Sequence, residues 1–251
     1  MRFSETIKHT ESNLVISQRH EAYLAVADER MYSQRAIDFA QSQLGKVDRK
    51  RVGTLSASSL GECERYQQFV YIGMPKLPFD AKNMAKVQNG SFMHLRWQME
   101  GLTEGWLRHA EVGVKSDAYH LMGTMDGINY DGSILELKSI NSNGFSRVMT
   151  FGPLIPHLYQ MATYMLCSGE EKGVFIYENK DTQEYTEIVV DPDDLPMSEM
   201  LMKAEQMWQS TQAEKLSEPL SDCMDRKGWK YNSCPFRDRC LNVYDWDQAR
   251  S

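Results

Sequence analysis

Between Leu121 and Ile140 the chain reads LMGTMDGINYDGSILELKSI, two largely apolar stretches of strand length hinged on the turn-forming Asp131-Gly132. The pattern predicts strands near 110–115, 120–128 and 134–140, and a later hairpin over VFIYENKDTQEYTEIVV, residues 174–190. Helical periodicity occupies the rest. Residues 4–44 are rich in Gln, Glu, Ala and Ser with scattered apolar positions, a weakly amphipathic helical segment that ends near Gly45. In GTLSASSLGECERYQQFVYIG, Ser58 or Ser59 is placed to cap a helix carrying Cys63, Arg65, Tyr66, Phe69 and Val70. From Ala81 to Arg108 a long helix is predicted, with Met84, Val87, Phe92, Leu95, Met99 and Leu102 as core positions and Gly90 and His94 one turn apart. A helix over LIPHLYQMATYMLCSG precedes the hairpin, and one near 197–215 leads into a tail bearing cysteines. Helix, three strands, helix, two strands predicts an α/β fold, a mixed sheet flanked by helices.

Composition narrows the classes. The 251 residues suffice for one large domain, or one domain with a small appendage. Hydrophobic residues at 41% and charged residues at 25% fit a folded soluble protein, and no apolar run approaches the roughly 20 residues that cross a bilayer. The first residues, MRFSETIKHTESNLVISQRH, lack a continuous apolar segment and do not read as a secretory signal, so a cytoplasmic location is expected. The net charge of −7 disfavours a polyanionic partner in bulk but does not describe a local groove, and a short basic cluster stands at Lys46, Arg49, Lys50 and Arg51. Five cysteines are too few and too unevenly spaced for a secreted disulfide scaffold, which leaves metal ligation as their competing use.

The charges in the first hairpin ask for an explanation. A two-residue turn at Asp131-Gly132 sets Asp126 opposite Leu137, on the face away from Glu136 and Lys138. A three-residue loop, Tyr130-Asp131-Gly132, with Gly132 left-handed, instead sets Asp126 opposite Glu136 and gathers all three charges. Two carboxylates roughly 5 Å apart across a strand pair, with a cation beside them, are hard oxygen ligands suited to Mg²⁺ or Mn²⁺. An E-x-K on a surface strand would more ordinarily face water, so the weight lies on what surrounds it.

Asp126, nine intervening residues, then Glu136-Leu137-Lys138 resembles the D…(D/E)-x-K motif of PD-(D/E)XK nucleases. His94 before the hairpin and Gln160-Met-Ala-Thr-Tyr164 after it, both in helical context, resemble the RecB-like branch of that superfamily. Cys63, in S-x-S-S-x-x-x-C-x-R, with Cys223, Cys234 and Cys240 behind, resembles that branch's iron-sulfur exonucleases, the CRISPR-associated protein-four family and the AddB nuclease domain. CPFRDRC matches the spacing of the last two cysteines in that group, whereas the ten residues between Cys223 and Cys234 exceed its usual short C-x-x-C. The resemblance covers about residues 54–242.

It implies a restriction-endonuclease-like core over residues 53–251, with 1–52 as a helical N-terminal segment and the 223–240 tail closing a clasp with Cys63. It implies that His94, Asp126, Glu136 and the Leu137 carbonyl ligate Mn²⁺ or Mg²⁺, that Lys138 helps activate water, and that Gln160 and Tyr164 serve the active site. It also implies a 4Fe-4S cluster on Cys63, Cys223, Cys234 and Cys240. The substrate would be DNA at single-stranded ends, in recombination, repair or CRISPR-like spacer acquisition; without a Walker loop, the chain would take already open ends or depend on a helicase or other protein partner.

Alternatives stand beside each expectation. A lone His94 is more often structural, as His9, His20, His109, His120 and His157 read. Gln160 and Tyr164 also fit an ordinary helix face. Four-cysteine zinc rivals iron-sulfur. Cys167, in MATYMLCSG, reads as a packing residue. Arg226, Lys227, Lys230, Arg237 and Arg239 could contact phosphates, yet Asp222, Asp225 and Asp238 interleave with them as in a solvated mixed-charge surface. A DNA-binding assembly factor with weak or no cleavage, and a sequence-specific endonuclease, are the rival functions.

Overall fold

The structure, a computed structural model, describes residues 15–26, 31–44, 52–78 and 80–250. The basic cluster at 46–51 and His9 lie outside the described residues. Helices α1 (Val15–Leu24) and α2 (Gln34–Leu44) precede strand β1 (Leu55–Ser56), α3 (Glu64–Tyr71) and the long α4 (Ala81–Glu104). Strands β2 (Leu107–Ser116), β3 (Leu121–Asn129) and β4 (Ile134–Ile140) follow, then α5 (Ser142–Phe151) and α6 (Ile155–Ser168). The chain continues through β5 (Gly173–Asn179), β6 (Tyr185–Val190) and α7 (Met197–Gln212) to the tail helices α8 (Ser221–Met224), α9 (Trp229–Ser233), α10 (Arg237–Cys240) and α11 (Trp246–Arg250).

The six strands form one mixed sheet, ordered β1-β3-β4-β5-β6 with β2 on the other edge of β3. β1 with β3 and β4 with β5 are parallel, and the remaining pairs are antiparallel. This is the mixed sheet flanked by helices that the periodicity predicts. Local expectations fail at several places, and of the core positions expected on the long helix Met84, Val87 and Phe92 are exposed. The long helix stops at Gly105, whose φ of +74° makes a left-handed cap, because Leu107 and Arg108 are drawn into β2. Ser58 and Ser59 do not cap α3; they sit in a single 3-10 turn, and the Cys63 Sγ accepts the Tyr66 N–H at 3.4 Å instead. Strand β1 and helix α5 carry no signal long enough to have been read.

Period two decides which residues the sheet sends to each face. Leu135, Leu137, Val174 and Ile176 pack with Trp97, Trp106 and Leu107, joined by Ile16 of α1 and Ala36 of α2. Ile134, Phe175 and Tyr177 point the other way, against Met161, Ala162, Tyr164 and Met165 of α6 and Met200, Ala204 and Met207 of α7. Glu136 and Lys138 therefore belong to the α6 face. Each large apolar side chain so buried contributes about 1.5–3 kcal/mol. A third cluster, Phe69, Met74, Phe236, Val243 and Ala249, joins α3 to the tail.

Candidate active site

The hairpin closes through three residues. Asn129 N–H donates to the Ser133 carbonyl at 2.9 Å, Gly132 N–H donates to the Asn129 carbonyl at 3.1 Å, and Gly132 has a φ of +85°. Register pairs Ile128 with Ile134 and Gly127 with Leu135, one step short of the expected Asp126–Glu136 pair. There the ladder stops. β1 reaches only Leu121 and Met122, so on this edge, among the described residues, β3 has no strand partner from Gly123 to Asp126.

Side chains fill the gap. The Asp126 Oδ2 accepts the Leu137 N–H at 2.6 Å, taking a backbone donor that would otherwise serve the ladder. Gln98, one turn beyond His94 on α4, donates to the Asp126 carbonyl at 2.9 Å. The Tyr164 hydroxyl donates to the Thr124 carbonyl at 2.6 Å and receives the Gln160 Nε2 at 2.8 Å. Gln160 Oε1 in turn accepts Lys138 Nζ at 2.9 Å, and Lys138 pairs with Glu136 Oε1 at 2.5 Å. His94 Nδ1 stands 3.1 Å from Asp126 Oδ1. His94, Asp126, Glu136, Leu137, Lys138, Gln160 and Tyr164 thus meet in one connected site. Helix α4 is fixed over it by buried Glu178, which accepts the Trp97 indole N–H at 2.8 Å and pairs with Arg96.

The electrostatics are those of carboxylates held out of water. Burial pushes the Glu136 carboxyl up to about 7, Lys138 pulling it back and Asp126 adding to the rise. Its second oxygen, Oε2, is buried without a hydrogen-bond partner. Burial works against a charged His94, but the neighbouring Asp126 carboxylate outweighs it and holds the imidazole above its ordinary range. Two carboxylates, an imidazole and a main-chain carbonyl are donors of the kind that a hard divalent cation takes. Among the described residues no group of three or more His, Cys, Asp or Glu side chains, the four cysteines included, is arranged so that it could hold a metal ion. Here the Asp126 and Glu136 oxygens turn to His94, Leu137 and Lys138 instead.

All five cysteines are free thiols, each partly buried. The Cys63 thiol is pushed up to about 11, first by burial and further by the charges of Cys240, Cys234 and Cys223. Arg65 knits them into place: buried, it donates to the carbonyls of Cys240 at 3.1 Å, Ser217 at 2.5 Å and Val243. Cys167 packs against the main core. In the tail, Lys230 pairs with Asp222 at 3.2 Å and Arg237 approaches Asp238 at 3.8 Å, so part of the basic surface there is neutralised locally.

Sequence reasoning missed Gln98, Gly123 and the contact between Tyr177 and His157. A Cβ on Gly123 would lie 2.5 Å from Tyr164 Cε1 and 3.0 Å from Ala57 Cβ, so only glycine lets Tyr164 reach Thr124. The one legible hint was Gln98, four residues after His94 and so on the same helix face.

The mixed sheet flanked by helices is a fold that the chain shares with a solved exonuclease structure. Among solved structures the chain is similar to LHK-Exo in complex with dAMP, with a TM-score of 0.53 and 17% identity over 64% of this chain and 89% of that one. A second structure of LHK-Exo, an alkaline exonuclease from Laribacter hongkongensis, matches with a TM-score of 0.49 and 16% identity over 65% and 90% of the two chains. SSO0001 matches with a TM-score of 0.47 and 19% identity over 82% and 93%. No family model and no curated protein sequence matches the chain. Among the described residues no helix is long and apolar enough to cross a membrane.

Proposed function

We propose that the protein is a divalent-metal-dependent DNA exonuclease that hydrolyses phosphodiester bonds and prefers single-stranded ends. The observation that carries this reading is the meeting of Asp126, Glu136 and Lys138 at the parting of β3 and β4, with a buried Glu136 oxygen left unpaired. Burying two carboxylates there costs several kcal/mol, which favours a role for them over a structural one. The fold is one that LHK-Exo shares, and LHK-Exo is an alkaline exonuclease.

His94, Asp126, Glu136 and the Leu137 carbonyl would hold Mg²⁺ or Mn²⁺. When bound, such a cation polarises phosphate and lowers the pKa of a coordinated water. The chain's own groups do the rest. Lys138, held between Glu136 and Gln160, presents an ammonium to orient the attacking water and offset charge on the phosphate. Gln160 and Tyr164 hold that lysine in place, and Asp126 ties the two strands together through the Leu137 N–H.

Cys63, Cys223, Cys234 and Cys240 would carry a 4Fe-4S cluster that fastens the tail to α3. Burial raises all four thiols, and neighbouring thiols add to the rise at Cys63, Cys234 and Cys240; a cationic core would hold them as thiolates. The reading extends to a cytoplasmic enzyme of recombination, repair or spacer acquisition, working with a partner that opens duplex ends. Digestion of end-labelled single-stranded, double-stranded and circular single-stranded DNA, with Mg²⁺ or Mn²⁺ and with chelator, tests it. Linear single strands should shorten from an end only with metal, while circles persist. Cleavage of circles at the same rate would make the enzyme an endonuclease, and binding without cleavage would favour the assembly factor.

A further inference from the structure

On α6 the residue one turn before Gln160 is His157, on the same helix face by its i,i+3 spacing. It lies over the lysine end of the site. Lys138 and Tyr177 are register partners on β4 and β5, so their side chains share one face, and His157 Nδ1 is 2.8 Å from the Tyr177 hydroxyl. Tyr177 is fully buried, so its hydroxyl proton needs an acceptor. Among the described residues His157 Nδ1 is the group that stands at hydrogen-bond distance from that hydroxyl, which makes it the acceptor of the tyrosine proton. An imidazole that accepts at Nδ1 carries its proton on Nε2. Burial, with Lys138 nearby adding to it, pushes His157 down to about 3 and keeps the ring neutral.

That Nε2 has no hydrogen-bond partner among the described residues, and it is not one of the buried unpaired atoms, so solvent reaches it. The ring is thus a neutral donor of fixed tautomer, half-buried beside the lysine and held by a tyrosine that also packs in the main core. A second positive charge beside Lys138 would be costly, whereas a neutral N–H can add a hydrogen bond to an anion that Lys138 already attracts.

We propose that His157 is a DNA-binding residue that donates from Nε2 to a backbone phosphate oxygen of the strand at Lys138, with Tyr177 as the residue that positions it. The inference rests on the nuclease reading above and adds a contact to that site. It is tested by measuring, in chelator, the binding of fluorescent single-stranded oligonucleotides carrying one neutral methylphosphonate at each linkage in turn. His157→Ala should weaken binding of the all-phosphate strand about tenfold, and should have no further effect at the one linkage whose oxygen the ring contacts. His157→Gln, which keeps an N–H near the Nε2 position, should recover most of the loss, and Tyr177→Phe should fall between. A loss of equal size at every linkage, or no loss in a variant that melts like wild type, overturns the inference while metal-dependent cleavage by wild type leaves the nuclease reading standing. Wild-type protein that neither binds nor cleaves DNA overturns both.

Discussion

Gly123 shows how much the site depends on a residue with no chemistry of its own. Tyr164 reaches the Thr124 carbonyl across a position where any side chain would collide with its ring. Gly123→Ala should therefore displace Tyr164, loosen Gln160 and Lys138 behind it, and cost about 1–3 kcal/mol of stability. Thermal unfolding together with single-turnover cleavage reads both effects, and a variant that cleaves and melts like wild type would detach Tyr164 from the site. The acidic pair, the lysine and the hairpin loop were legible because they are near in sequence and because alternation leaves only one register that gathers them. Gly123, Gln98 and Tyr177 were not, because each acts through a contact made across the fold, as Gly123 does with Tyr164 and Tyr177 with His157.

At the scale of elements, strand assignments held best where apolar runs were long, as in β4, and failed at junctions such as Gly105–Leu107, where helix and strand signals overlap. Helix α1 shows a different device, docking by polar contacts. Buried His20 lies 2.7 Å from Glu100 on α4, and Glu187 of β6 accepts the Ser17 N–H at 2.7 Å. Burial raises the Glu187 carboxyl despite that donor. A folded-state pKa above the unfolded value means that the native state keeps its proton longer, so stability present at low pH is lost as pH rises through the folded pKa. Glu187→Gln removes the charge that is penalised. Its melting temperature relative to wild type should thus be higher at pH 8 than at pH 4, and an unchanged difference would show that the hydrogen bond to Ser17 offsets burial in full.

The molecule as a whole brings its two ends together. Cys63 stands at the start of α3, and Cys223, Cys234 and Cys240 lie in the tail, so a cluster on them would close a loop of about 160 residues and restrict the unfolded chain. Anaerobically purified protein should be brown, with iron and sulfide in near-equal amounts. Cys63→Ser and Cys234→Ser should lose both colour and thermal stability, while Cys167→Ser keeps them. Zinc without sulfide would make the clasp a four-cysteine zinc site. The sequence pointed to these four positions but not to what aligns them, the buried Arg65 and the Phe69–Phe236 contact, since neither residue type signals its partner.

The account stands on the claim that the parting of β3 and β4 is a hydrolytic site built around Glu136. Cleavage of end-labelled single-stranded DNA in Mn²⁺, compared between wild type and Glu136→Ala of matched folding, addresses it directly. Loss of a metal-ligating carboxylate should lower the rate by roughly 100-fold or more. A Glu136→Ala protein that cleaves as wild type does would contradict it.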